Sequence, residues 1–204
     1  MLNLFLKVSD WICRLVWVNI LWLGGILAGL VVFGLMPATN AMHAVTREWA
    51  RNNMEVSIYK TFVKTYKASF RQANLVGLLF AGMLVVLLVN LRLSVIIPGT
   101  LMMMAHYFIL FVIFLLCLSV VMFFNLFAHY KYSWTQYVKQ SIAFTVGSPR
   151  TILMLSLGFG LIAWLIVQMP GLLPFFSGVL PAYWSSIVCR KRFTKIEAMQ
   201  MPTA

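Results

Sequence analysis

Catalysis needs ionisable groups brought together, and this sequence has only four acids: Asp10, Glu48, Glu55 and Glu197. All four lie outside the long apolar runs. That argues against paired-carboxylate hydrolysis, an aspartate-based protease and a carboxylate proton relay. His106 and His129 stand alone near the two ends of one apolar run, where an interfacial position explains them better than acid–base work. Ser119 and Ser156 sit inside apolar runs with no visible base, so bonding to helix carbonyls accounts for them. Cys13, Cys117 and Cys189 are odd in number and far apart, which suggests neither a disulfide framework nor a zinc site. Met102, Met103 and Met104 have no His or Cys at ligand spacing, so packing is a simpler role than a metal path. The residues thus give no catalytic, cofactor-binding or metal set, and an intramembrane enzyme is the weakest function class.

The elements that would position any site are membrane helices. Of 204 residues, 62% are hydrophobic and 10% charged, with a mean hydropathy of +0.92. A soluble domain carries about 25% charged residues, so this chain has too little polar surface to cover itself in water. The expected fold is all-α, a polytopic transmembrane helix bundle of about five spans plus amphipathic interfacial helices, forming a single membrane domain over 1–204. The expected spans are 15–36, 75–91, 101–128, 152–169 and 171–189. Pro98-Gly99-Thr100 is read as the turn between the second and third. The fifth span is the weakest, because it holds Pro174, Pro181 and several serines. The first apolar run and its leader are too long for a cleaved signal peptide, so that run is expected to remain as a span.

Lys and Arg number 16, and the net charge is +12. In a membrane protein, the positive-inside rule and attraction to anionic lipid account for this excess, and nucleic acid is a much poorer partner. With five spans, the loops 41–74 and 129–151 and the tail 190–204 share one side. They carry every Lys and Arg except Lys7, Arg14 and Arg92. This split predicts a multi-pass protein of the bacterial plasma membrane with its N-terminus outside and its C-terminus in the cytoplasm.

Several segments read as amphipathic. In residues 1–14, Leu4, Phe5, Val8, Trp11 and Ile12 share one face and Asn3, Lys7, Asp10 and Arg14 the other, as in an interfacial helix. In the first loop, Ile58, Phe62, Tyr66 and Phe70 recur every four residues opposite Lys60, Lys64, Lys67 and Arg71. This basic amphipathic helix has two compatible roles, resting on anionic headgroups and docking a partner. Gly25 and Gly29 form a Gly-x-x-x-Gly element for close helix contact, within this chain, with a copy or with another protein. Phe62-Val63-Lys64 and Tyr137-Val138-Lys139 hint at a duplicated unit.

The run Val32-Phe33-Gly34-Leu35-Met36-Pro37-Ala38-Thr39 looks like the Phe-Gly-x-x-Pro-Ala-Thr element of the bacterial YesL-like membrane proteins. Phe70-Arg71-Gln72-Ala73-Asn74-Leu75-Val76-Gly77, Thr46-Arg47-Glu48-Trp49 and Trp17-Val18-Asn19-Ile20-Leu21-Trp22 fit the same family. The motifs cluster in residues 11–78; beyond Arg92 only hydropathy matches. The resemblance implies no established enzyme activity and no cofactor. It implies an accessory role beside binding-protein-dependent sugar ABC importers, with permease subunits as partners. The partner-contact candidates are Lys60, Lys64, Lys67, Arg71, Gly25, Gly29, Glu48 and Trp49.

Physically, the motif residues have structural uses. Pro37 is expected to kink or end the first span. Ala41 to Ala50 can resume as a helix, with Met42, Val45 and Trp49 on one face and His43, Arg47 and Arg51 on the other. Asn74 is placed to cap the second span. Two function classes follow: a non-catalytic accessory protein, or a small autonomous transporter or channel formed by the bundle. A broken helix pair with buried charge would favour the second, and the sequence shows none.

Overall fold

A computed structural model describes residues 2–130 and 132–200, with side chains for 6–130, 132–190 and Arg192. The side chains of Asn3, Leu4, Phe5, Lys131, Lys191, Lys195 and Glu197 lie outside the described residues.

Helix α1 (Leu2–Ala28) joins the expected interfacial helix 1–14 to the first span without a break. It ends at Ala28, well before Met36, because the chain reverses there. Leu30 and Val31 take positive φ values of 56° and 65°. Helix α2 (Val32–Ala50) then runs back along α1. Trp22 Nε1 donates to Thr39 Oγ1 at 3.1 Å, and Trp11 meets Trp49 edge-on with centroids 5.0 Å apart. The reversal is closed by backbone contact that only glycine permits: a Cβ on Gly29 would lie 2.2 Å from the Gly34 Cα. The expected span 15–36 is therefore two antiparallel helices.

Pro37 ends neither of them. It lies buried inside α2, where its missing amide leaves the Phe33 carbonyl without its helical donor. Asn74 Nδ2 supplies that donor at 2.9 Å, and also bonds the Phe70 carbonyl at 2.8 Å. Asn74 is thus a cross-helix bridge in mid-helix and caps nothing.

Helix α3 (Ile58–Ile96) is continuous for 39 residues, about 58 Å at 1.5 Å per residue. The hydrocarbon core of a bilayer is about 30 Å thick. The expected basic helix and the expected span 75–91 are one rod, since no proline interrupts them. After a reversal at Gly99, whose φ of 142° suits glycine, α4 (Thr100–His129) returns along α3. It matches the expected span 101–128. Helix α5 (Trp134–Val146) fills most of the second loop and opens with a capping box between Ser133 and Gln136. Helix α6 (Pro149–Gln168) matches the fourth span.

The fifth expected span is broken. A 3-10 turn (Pro170–Leu172) and α7 (Leu173–Phe176) precede α8 (Val179–Gln200), with a 62° bend between the two parts. Helix α8 continues into the expected tail. Phe62 lies on α3 and Tyr137 on α5, so the two similar triplets do not occupy matching helices.

The described chain is all-α. Four helices are long and apolar enough to cross a membrane, or five with the bent pair. Helix α2 is not among them, yet it sits at the centre, packed by α1, α3, α4 and α8. One core joins Leu15, Val18, Met42, Trp49, Phe62 and Val179. A second joins Val76, Phe80, Met122, Phe123, Tyr137 and Leu155. By contrast, the distal parts of α3 and α4 expose Val85, Val89, Ile96, Met103, Phe108 and Phe111, as lipid-facing helices do.

Candidate functional site

From Pro37 onward helix α2 is buried on nearly all sides, so its polar residues are enclosed with its apolar ones. Asn40, His43 and Thr46 are all buried. The His43 ring stacks on Phe124 of α4 at 5.3 Å, with the Asn125 side chain within hydrogen-bonding reach. Thr46 Oγ1 lies 3.1 Å from Ser186 Oγ of α8. Both polar atoms of the Asn40 amide, His43 Nδ1 and Trp49 Nε1 have no protein partner. This seam joins α4 and α8 to the central helix. Its groups are neutral donors and acceptors, suited to holding helices or a polar solute and lacking a nucleophile–base pair.

In the last turn of α2, outside the apolar spans, Glu48 collects three basic or amide partners. Arg47 lies at 3.1 Å, Arg51 at 4.0 Å and Asn53 Nδ2 at 3.2 Å. Burial pushes its carboxyl pKa up. Hydrogen bonds from Asn53 and Arg47 and the charges of Arg47 and Arg51 outweigh that and hold it below the ordinary carboxylate value. Nearby Arg14 pairs with Asp10 at 2.8 Å and donates to the Met54 carbonyl. The N-terminal end of α1 and the loop 51–57 are therefore neighbours. In place of a single helix between them, the chain runs out along α1 and returns along α2.

The basic stripe stands apart from this cluster. Lys60, Lys64, Lys67 and Arg71 are all exposed along one side of α3, and none takes part in the described ion pairs. The opposite, aromatic face packs against the chain's own α2 and α1 as far as Tyr66, and Phe70 is exposed. Phe62 is buried, and Tyr66 Oη donates to the Gly25 carbonyl at 2.9 Å. The stripe is thus fixed in direction by packing, with Phe62 and Tyr66 turned into the protein.

Of the other contact candidates, Gly25 faces Ala38, Phe62 and Tyr66, and Gly29 faces Gly34. Their close contacts are intramolecular. Trp49 is fully buried between Trp11 and Tyr183. Gly29 and Trp49 are buried, Gly25 and Glu48 are half-buried, and the stripe is exposed.

Two polar features escaped the sequence. His106 is not alone: its Nδ1 lies 3.0 Å from Ser94 Oγ across the α3–α4 reversal. Ser94 Oγ also lies 2.7 Å from the Leu91 carbonyl, so the ring's tautomer decides whether its single proton goes to that carbonyl or to His106. Asn19, fully buried in α1, accepts from the amides of Gly178 and Val179 at 3.1 and 3.2 Å and donates to the Pro174 carbonyl at 2.7 Å. It thereby caps α8 from another helix and holds the break after α7. A broken helix pair thus exists, and the amides of Gly178 and Val179 at its break are taken by Asn19. Among the described residues no group of His, Cys, Asp and Glu could hold a metal ion.

The family described as "Protein of unknown function, DUF624" matches residues 15–91, which take in the α1–α2 return and most of α3. The uncharacterized protein YteU of Bacillus subtilis (strain 168) is 33% identical over 198 residues, covering 96% of this chain and 88% of that protein. The chain belongs to the DUF624 family. Two further relatives from the same organism are uncharacterized too. YesV is 30% identical over 92% of this chain and 90% of its own length, and YesL is 29% identical over 93% and 90%. No solved structure matches. The DUF624 segment contains Phe33, Pro37 and Asn74, the residues of the carbonyl bridge, and the whole basic stripe.

Proposed function

We propose that this DUF624 chain is a non-catalytic accessory membrane protein that acts by association. Its partners are the permease subunits of a binding-protein-dependent sugar ABC importer, the role implied by the YesL-like resemblance. The observation that supports association is the stripe Lys60, Lys64, Lys67 and Arg71. Four exposed cations without an internal acid partner ride on a rod whose other face is locked to α1. An anionic surface on a neighbour complements them at a fixed height above the span. The basic end is cytoplasmic by the positive-inside rule. The N-terminal end of α1 shares it, because α2 brings the chain back beside Arg14. Replacing all four by Gln keeps helix propensity and removes the charge. The variant is expected to insert normally while losing the co-purifying subunits and the activity of the importer. Normal recovery of partners with the variant would refute the docking role.

A second reading, a small transporter formed by the bundle, is favoured by the buried polar seam on α2 and the bent α7–α8 pair. Purified protein alone in liposomes decides between the two: specific solute flux supports the transporter and overturns the accessory role.

A further inference from the structure

A groove with a volume of ≈ 680 Å³ runs between the first turns of α2 and the outer face of α3, within the range of about 300–1,000 Å³ usual for ligand sites. Its walls are Val32, Phe33 and Met36 on α2 and Leu75, Leu78 and Ala81 on α3. Arg71 and Asn74 line it as well. Arg71, Leu75, Leu78 and Ala81 recur at spacings of three and four, so they share one helix face. Along that face the groove passes from a cation to hydrocarbon within about three turns. This is the profile of an amphiphile standing upright at a membrane boundary.

From this gradient we infer that the groove holds one anionic phospholipid, its headgroup phosphate on Arg71 and an acyl chain along Leu75, Leu78 and Ala81. Charge complementarity selects the occupant. Arg71 is exposed and makes no ion pair or hydrogen bond among the described residues, and Lys67 stands exposed one turn before it. A guanidinium matches a phosphate with two parallel donors. Asn74 spends its Nδ2 on Phe33 and Phe70, leaving Oδ1 as an acceptor for a headgroup hydroxyl such as that of phosphatidylglycerol. The site also makes sense of the reversal at Leu30 and Val31. It sets the first turn of α2 against α3, so a lipid there covers the edge of that contact. The inference rests on the groove and shares only Arg71 with the stripe, so a variant that changes the other three cations separates the two readings.

The test uses purified full-length protein in detergent with three additives: phosphatidylglycerol, phosphatidylcholine of the same chains, and inorganic phosphate. Thermal stability and lipid retention by native mass spectrometry are read. Phosphatidylglycerol is expected to bind and stabilise at concentrations where the other two do nothing. Arg71→Gln should weaken that preference about five-fold, the effect of one charge near an anionic headgroup. Ala81→Phe, at an exposed position in the groove, should abolish retention with every charge intact. The Lys60→Gln, Lys64→Gln, Lys67→Gln triple variant should retain the lipid. Equal effects of the two lipids, or stabilisation by phosphate alone, overturns the site. So does retention in Ala81→Phe, or a loss in the triple variant as large as in Arg71→Gln.

Discussion

Asn74 and Pro37 are far apart in sequence, and a single carbonyl connects them. The amide that proline lacks would have bonded Phe33, and Asn74 bonds it in its place. An unmet carbonyl at the edge of hydrocarbon costs about 1–3 kcal/mol, so Asn74→Ala should destabilise the protein by about that much in detergent melts. Pro37→Ala returns the missing amide. In that background Asn74→Ala should cost markedly less, and a double-mutant cycle reads the difference as a coupling of about 1 kcal/mol or more. Strict additivity would show that the bridge carries no energy. Asn19 follows the same logic between α1 and α8, since three backbone groups at the α7–α8 break depend on one buried amide.

At the scale of the element, the α1–α2 return governs everything upstream of α3. Its closeness is set by glycine, and the positions are not equivalent. A Cβ at Gly34 would lie 2.4 Å from the Ile26 carbonyl oxygen, whereas a Cβ at Gly24 would meet nothing within 4 Å. Gly29→Leu and Gly34→Leu should therefore force the hairpin apart and destabilise by about 3 kcal/mol or more, beyond ordinary overpacking. Gly24→Leu should be nearly neutral, and all three should insert, because leucine favours the bilayer. Melting temperatures in detergent give the ranking; equal values for the three variants would mean that the hairpin is not closed this way. Helix α2 itself shows why its composition is mild. Enclosed by four helices, it meets protein where a lipid-facing helix meets hydrocarbon, so Asn40, His43 and Thr46 are tolerated in its interior.

For the molecule as a whole, the return of α2 alters the topology. With the N-terminal end of α1 beside Met54, Lys7 and Arg14 lie at the end of the described bundle that carries the basic loop, and Arg92 lies near the α3–α4 reversal. That distribution obeys the positive-inside rule more completely than a five-span layout with an outside N-terminus. Lys7→Cys and Glu55→Cys should label from the same side of the membrane with an impermeant reagent, and Gly99→Cys from the other. Labelling of positions 7 and 55 from opposite sides would contradict the return helix.

Composition alone fixed the class. A chain with 62% hydrophobic residues has to be an all-α bundle in lipid, because only helices and closed barrels satisfy their own backbone there and this chain lacks the short alternating segments of a barrel. Hydropathy also located α4 and α6 to within a few residues, since both face lipid and must be apolar. The sequence equally exposed the four cations of the stripe, by their spacing opposite Ile58, Phe62, Tyr66 and Phe70. Other features only the tertiary structure could decide. Whether 15–36 crosses once or turns back depends on two glycines meeting across a reversal, a contact that periodicity does not encode. The place of α2 at the centre was hidden because a helix shielded by its neighbours loses the hydrophobic signature of a span. The partners of Asn19, Asn74 and His106 lie on other helices, and a hydrogen bond at 3 Å is set by how helices are brought together in space. The groove beside Arg71 is legible only once two helices stand side by side, because neither carries it alone.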